Sequence, residues 1–323
     1  MLMNTLAAMT FGLVLNMIAG KPRFFFGLEN LMISTAKRMQ NFLKRHYQDT
    51  SEAQEMAGGA MLFFMLLIFA GIPLVLIILA YIFVPVIGVI FEGVLFWFTL
   101  NIKNTRISAY KIMRAVRAGR LEDAQKRLSY MIDKDCSDMD MDTIIKNTIE
   151  KVADRCVNGG FSPIFYMTIL GGFGAVFYKT VCILNSEARK NKEDYVDFGN
   201  GIKKLWNILG FVPSRIGAAI LKLDVKFLSL DRNNARNIYN RDNSAASPAF
   251  LGQARSVIAG ALDIQLNKDE YYDGMIMRER SIGDSIKPCE ANDIYWANQL
   301  FYGSVFMFFV LFALIRLLLF LIF

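Results

Sequence analysis

Histidine is nearly absent from this 323-residue chain, and His46 is the only one. A Ser-His-Asp or Cys-His mechanism would rest on that single imidazole, which follows Arg45 on a basic stretch with no nucleophile beside it. Cysteine is scarce as well. Cys136, Cys156, Cys182 and Cys289 form no C-x-x-C pair, which excludes zinc binding through clustered thiolates and imidazoles. They read as reduced, small apolar residues. No P-loop or dinucleotide spacing occurs. The net charge of +7 comes from bases interleaved with acids rather than from one basic stripe, so no nucleic-acid partner is expected. Charge is also missing from whole blocks of the chain, and those blocks decide the fold class.

Hydrophobic residues make up 54% of the sequence and mean hydropathy is +0.34, above the roughly 45–50% of soluble domains. Residues 58–100 hold 43 positions with one charge, Glu92. One span needs about 20 residues, so this block reads as a transmembrane hairpin turning near 81–85. Glu92 should face protein or water, with a structural or a functional role equally open. Residues 1–19 are uncharged, lack the basic start of a signal peptide, and read as a first, uncleaved membrane helix. Residues 24–48, with Lys37, Arg38, Lys44 and Arg45, read as an amphipathic helix on the membrane surface, completing an N-terminal region 1–57.

A polar helical segment follows over 101–160. Leu121, Ala124, Leu128 and Ile132 share one helix face, as do Ile145, Ile149, Val152 and Cys156. Asp138, Asp140 and Asp142 suit a helix start better than a calcium loop. Residues 161–183 are apolar again, but Pro163, Gly171, Gly172 and Gly174 interrupt them, so they form a span or a re-entrant segment. Residues 184–299 read as helices and loops, with an amphipathic stretch at 206–223 and a loop at 240–248. Residues 300–323 form a last span in which Arg316 snorkels or pairs. The expectation is an all-α integral membrane protein with about four to five transmembrane or re-entrant helices and a cytosolic-facing helical region. Between 101 and 156 there are 12 Lys/Arg against 9 Asp/Glu, which places the polar segments in the cytosol of a multi-pass cell-membrane protein.

From residue 91 onward a resemblance accumulates. The stretches are FEGVLFWFTL (91–100), RAGRLEDAQKRLSYMIDKDC (117–136), IEKVADRCVNGGFSPIFY (149–166) and GGFGAVFYKT (171–180). YVDFG (195–199), FVPSRIGA (211–218), SP (247–248), AGALDIQL (259–266) and SIGD (281–284) follow. In order and spacing this resembles the CbiB/CobD family of cobalamin biosynthesis, the adenosylcobinamide-phosphate synthases. The resemblance implies an ATP-dependent C–N ligase that couples adenosylcobyric acid to aminopropanol or its phosphate. It implies ATP and Mg²⁺ as cofactors, and corrinoid, aminopropanol phosphate and the lipid bilayer as partners, and it leaves room for a homo-oligomer.

Carried over residue by residue, the resemblance nominates Lys179, Asp154, Asn158 and Asn185 for catalysis, with Asp154 also as a Mg²⁺ ligand. It nominates Tyr178, Arg155, Arg215, Ser247 and Asp284 for substrate binding. For each a plainer reading stands alongside: a snorkelling lysine at 179, a solvated arginine at 215, a turn aspartate at 284. The chain also departs from the family pattern. Asp154, Arg155 and Asn158 stand where the family shows Glu-Asn-x-x-Asp, and Cys182, Ile183, Leu184 and Asn185 where it shows Asn-Thr-Leu-Asp. Trp206 and Asn207 replace two aspartates, and Ala249 follows Ser247 and Pro248 in place of asparagine. Near the N-terminus the family's Asp and His-Pro elements read as Asn16 and Lys21. Scaffold glycines and prolines survive better than carboxylates. Two readings therefore stay open: an active ligase, and a catalytically silent relative acting as a membrane scaffold, sensor or regulatory protein, as AmpE-like members do.

Overall fold

The structure is a computed structural model that describes residues 2–47, 50–189, 197–266, 269–272, 275–278 and 281–322. The end of the expected surface helix at residue 48, and Tyr195 and Val196 of the YVDFG stretch, lie outside the described residues. Among the described residues thirteen α-helices follow one another: α1 (Leu2–Ala19), α2 (Arg23–His46), α3 (Ser51–Leu66), α4 (Ile72–Phe83), α5 (Pro85–Thr99), α6 (Ile102–Arg117), α7 (Leu121–Ile132), α8 (Met141–Cys156), α9 (Ser162–Ala188), α10 (Asn200–Phe227), α11 (Arg232–Asp242), α12 (Ala249–Ala261) and α13 (Ala291–Ile322). Five-residue π-helical segments join α3 to α4 (Leu67–Gly71) and α8 to α9 (Val157–Phe161). The protein is thus an all-α membrane protein. One feature of 184–299 went unread in the sequence: an antiparallel hairpin, β1 (Asp269–Tyr272) with β2 (Met275–Arg278). The loop expected at 240–248 is also shorter, because α11 runs on to Asp242.

Among the described residues four helical stretches are long and apolar enough to cross a bilayer: Ser51–Phe83, Pro85–Arg117, Met141–Ala188 and Ala291–Ile322. A fifth counts if α1 and α2, bent by 108° at Gly20–Pro22, are taken together. The residues explain the breaks. Val84 is extended and Pro85 opens the next helix at its first position, where the missing N–H is no loss. Thr50 caps α3 by accepting from the Ala53 N–H, and Asp140 caps α8 by accepting from the Thr143 N–H.

The chain forms two compact units. The first comprises residues 1–101, 162–209 and 311–323, and the second 102–161 and 210–310. In the first, α1 lies against α5 through glycines. A Cβ on Gly12 would stand 2.5 Å from the Gly93 carbonyl oxygen, and one on Gly93 would stand 2.7 Å from Phe11. Lipid offers no hydrophobic drive between helices, so such close backbone approach supplies the packing. A second cluster joins Ala36 and Leu43 of α2, Met61 and Met65 of α3, and Leu184 of α9.

α9 is bent at Gly171, which has φ +64° and ψ −158°. The bend breaks one rung of the helix, and the first unit refills it. The Gly172 N–H donates to Glu92 Oε1 at 2.7 Å, while Tyr81 Oη donates to Glu92 Oε2 at 2.5 Å. The Thr168 carbonyl accepts from Arg316. Glu92 thus faces protein and is buried, and Arg316 pairs with backbone.

In the second unit α12 is buried along its length from Phe250 to Ala261. α13 is flanked by α6, with Arg117 donating to Asn292 and Arg106 lying over the Tyr302 ring, 4.3 Å from its centroid.

Gly171→Ala should destabilise the protein. The positive φ alone costs an alanine about 1–3 kcal/mol, and its Cβ would stand 2.5 Å from Glu92 Oε1. Gly27→Ala, with nothing within 4 Å of the new Cβ, should be neutral or mildly stabilising in a helix interior. Size-exclusion of detergent-solubilised protein after graded heating measures both. Equal survival of Gly171→Ala and wild type would refute the bend.

Candidate functional site

The sequence-nominated residues fall into both units. Tyr178, Lys179 and Asn185 belong to the first, and Asp154, Arg155, Asn158, Arg215, Ser247 and Asp284 to the second.

In the first unit, the half of α9 beyond Gly171 carries Lys179 inward. Its Nζ donates to Glu29 Oε1 of α2 at 2.7 Å, and Lys21, just before α2, donates to the same oxygen. The three side chains are largely buried, Lys21 to 3% and Lys179 to 10% exposure. Phe98 of α5 lies beneath both ammonium groups, its ring centroid 5.6 Å from Lys21 Nζ and 5.9 Å from Lys179 Nζ, and Phe26 stands 5.3 Å from Lys21. Cation–π attraction helps hold ammonium groups that have left water. Two positive charges against one negative leave the cluster one charge positive, a setting that favours an incoming anion. Tyr178, one residue before Lys179, is buried and stacks on Tyr166 at 5.4 Å, and Tyr166 donates to the Leu209 carbonyl. Asn185 is buried two turns further along α9.

Sequence reasoning nominated Lys179 and missed its partners. Lys21 had been noted only as a departure from a family element. Glu29 carried a signal that could have found it: it is the sole acid in the 24 residues of α2.

In the second unit Asp154 does not present a free carboxylate. Arg255 of α12 donates through Nε to Oδ1 at 2.7 Å and through Nη2 to Oδ2 at 3.0 Å, and its Nη1 meets Glu150 one turn earlier on α8. This is the bidentate fork that guanidinium makes with carboxylate. A Mg²⁺ ion would have to displace that guanidinium. Among the described residues no group of three or more His, Cys, Asp or Glu side chains could hold a metal. The described residues do not form a protein-held Mg²⁺ site.

Asn158 lies in the π-helical turn that follows α8. Arg155 is half-buried beside it, with an interaction of its own. Asp284 is exposed and receives two hydrogen bonds from Arg241, at 3.1 and 2.9 Å. Arg241 also forks onto Asp242, whose Oδ2 accepts from the Gly283 N–H. Burial would raise the Asp242 carboxyl, but Arg241 and the Gly283 N–H hold it below its ordinary value. The SIGD stretch is thereby pinned to the end of α11. Ser247 is exposed in the loop before α12. Arg215 folds over the Phe211 ring, 3.5 Å from its centroid, and donates to the Phe211 carbonyl. The cysteines are free, and burial pushes the Cys289 thiol up to about 11, so it is inert as a nucleophile near neutral pH.

The family model described as CobD/Cbib protein matches residues 9–301. A cobalamin biosynthesis protein CobD of Clostridium perfringens is 27% identical over 289 residues, covering 90% of this chain and 91% of the relative. The protein of the same name from Streptococcus sanguinis is 29% identical over 67% of this chain and 68% of the relative. The one from Geobacter metallireducens is 25% identical over 68% and 69%. No solved structure matches.

Arg255→Met should leave the half-buried Asp154 carboxylate without its fork and cost about 1–3 kcal/mol of stability. Combining it with Glu150→Leu and Asp154→Leu should recover most of that loss. Melting of the three variants in detergent checks both statements, and an Arg255→Met protein that melts with wild type would remove the fork from the structure's supports.

Proposed function

The chain belongs to the CobD/CbiB protein family, and from that premise we propose that it serves cobalamin biosynthesis as a multi-pass membrane protein with its polar segments in the cytosol. The reaction is ATP-dependent coupling of the adenosylcobyric acid carboxylate to aminopropanol or its phosphate. The observation that carries this reading is the buried Lys21–Glu29–Lys179 cluster. Every reactant here is an anion or carries one: a corrinoid carboxylate, a phosphate ester, a nucleotide. A desolvated pair of ammonium groups that share one carboxylate can take up such a group and strengthen its hold where water is excluded.

The chemistry that ATP supplies is activation. The carboxylate oxygen takes the γ-phosphoryl group and ADP leaves. The amine then attacks the carbonyl carbon, the C–O bond to phosphate breaks, and inorganic phosphate departs as the amine loses a proton. The chain's own part is to hold the anionic groups at Lys21 and Lys179. Tyr178, Asn158, Asn185, Arg155 and Ser247 remain proposed contributors to catalysis or substrate binding.

A second reading has its own observation. Both oxygens of Asp154 are taken by Arg255, and Asn158, Asn185 and Asn207 stand where the family resemblance implies carboxylates. That favours a catalytically silent relative that scaffolds or senses at the membrane.

Purified protein in detergent with adenosylcobyric acid, ATP, Mg²⁺ and aminopropanol phosphate should form the amide, followed by chromatography of the corrinoid. Lys179→Met and Lys21→Met should each lower kcat/KM by roughly 10- to 100-fold, the worth of a hydrogen bond to a charged group. Lys37→Met, which removes the pairing of an exposed lysine with the partly buried Glu187, should leave the rate unchanged. A folded wild-type protein that forms no amide would sink the ligase reading in favour of the silent one.

A further inference from the structure

We propose that the outward face of α10 in the second unit is a lipid-contacting surface, and that Arg215 on it meets anionic lipid headgroups rather than substrate. The face is read from burial. Between Gly210 and Phe227 the inward positions are Ser214, Gly217, Ala218, Leu221 and Asp224, whereas Phe211, Val212, Arg215, Ala219, Leu223, Lys226 and Phe227 are exposed. The exposed set recurs at helical spacing over more than four turns. It is mostly apolar, with Leu223 at 52% and Phe227 at 73% exposure. A stripe of that size in water would be an aggregation liability.

The level at which α10 lies follows from what it touches. α13 changes character at Ser304. Residues 291–304 carry Asn, Asp, Gln and Ser among aromatic residues, whereas 305–322 contain one charge, Arg316. That boundary marks a bilayer surface, and Tyr295, Trp296 and Tyr302 are the aromatic residues expected there. The Asp224 carboxylate lies against Gly303, where a Cβ would stand 2.5 Å from its Oδ2. One helical stretch earlier, Gly217 abuts the Phe161 ring, which stacks on Phe308 with centroids 4.8 Å apart. α10 therefore packs along the first turns of α13's apolar stretch, and its opposite face meets whatever surrounds that stretch.

The charges select the occupant. Arg215, Lys222 and Lys226 are the charged groups of this segment apart from Asp224, which is buried. An apolar stripe bordered by cations is the composition of an interfacial helix on anionic lipid. α10 is not among the helices apolar enough to span, consistent with lying at the boundary. The exposed Arg215 folds its guanidinium over the exposed Phe211 ring and so lies on the stripe itself.

Benzoylphenylalanine placed singly at Phe211, Leu223 or Tyr130 of the full-length protein, in nanodiscs of phosphatidylethanolamine and phosphatidylglycerol, tests the surface by irradiation and intact mass. The expected result is a phospholipid adduct at 211 and 223 and none at Tyr130, which is exposed on the polar helix α7. Phosphatidylglycerol should be over-represented at 211 by roughly fivefold through one cation, and Arg215→Gln should remove that excess. Cross-linked dimers at 211 or 223 would assign the face to a second copy and overturn the proposal. Adducts absent at both sites, or equal at Tyr130, would overturn it too.

Discussion

Inside a bilayer no water is present to accept a hydrogen bond, so a helix that bends must have its freed groups met by protein. In an unbroken α9 the Gly172 N–H would donate to the Thr168 carbonyl, four residues back. The left-handed backbone at Gly171 pulls that rung apart. Glu92 takes the orphaned N–H and Arg316 takes the orphaned carbonyl. A carboxylate and a guanidinium, each costly alone in hydrocarbon, serve the two sides of one gap. The glycines follow from the same constraint, because a Cβ on Gly172 would stand 2.8 Å from the Glu92 side chain. Three features that look separate in the sequence, an acid at 92, a Gly-Gly pair at 171 and a base at 316, are one structural device.

That device sets up the lysine cluster. From Gly172 to Lys179 is seven residues, two helical turns and about 10 Å. The direction α9 takes after its bend decides where the Lys179 ammonium ends. It ends on Glu29 with Lys21 and over the Phe98 ring. An ammonium taken out of water costs several kcal/mol unless it is met, and here Glu29 meets both lysines while the Phe98 ring lies beneath them.

Much of the architecture was legible because lipid imposes length and composition directly. The apolar blocks within 1–19, 58–100 and 300–323 are helical over residues 2–19, 58–99 and 300–322, the chain breaks at Val84, and the acids near 140 include a true cap in Asp140. What the sequence withheld was pairing across long separations. Lys21 and Lys179 meet on Glu29 from 158 residues apart, a geometry that no local periodicity encodes. The hairpin at 269–278 was hidden for another reason. Its strands are four residues each, too short for an alternating pattern to stand out. Asp284 meets Arg241 from 43 residues away, another pairing that local sequence does not encode.

Asp154 shows why a missing or altered motif residue is weak evidence by itself. In the sequence Arg155 is the base beside Asp154. In the structure the base that governs Asp154 is Arg255, 101 residues away on another helix, and it grips both carboxylate oxygens and Glu150 as well. A fork supplied by another helix leaves no trace in the charges that flank Asp154 along the chain, so counting those charges says nothing of whether its oxygens are open. The state of a carboxylate is a property of the packing, and only the packing reveals it.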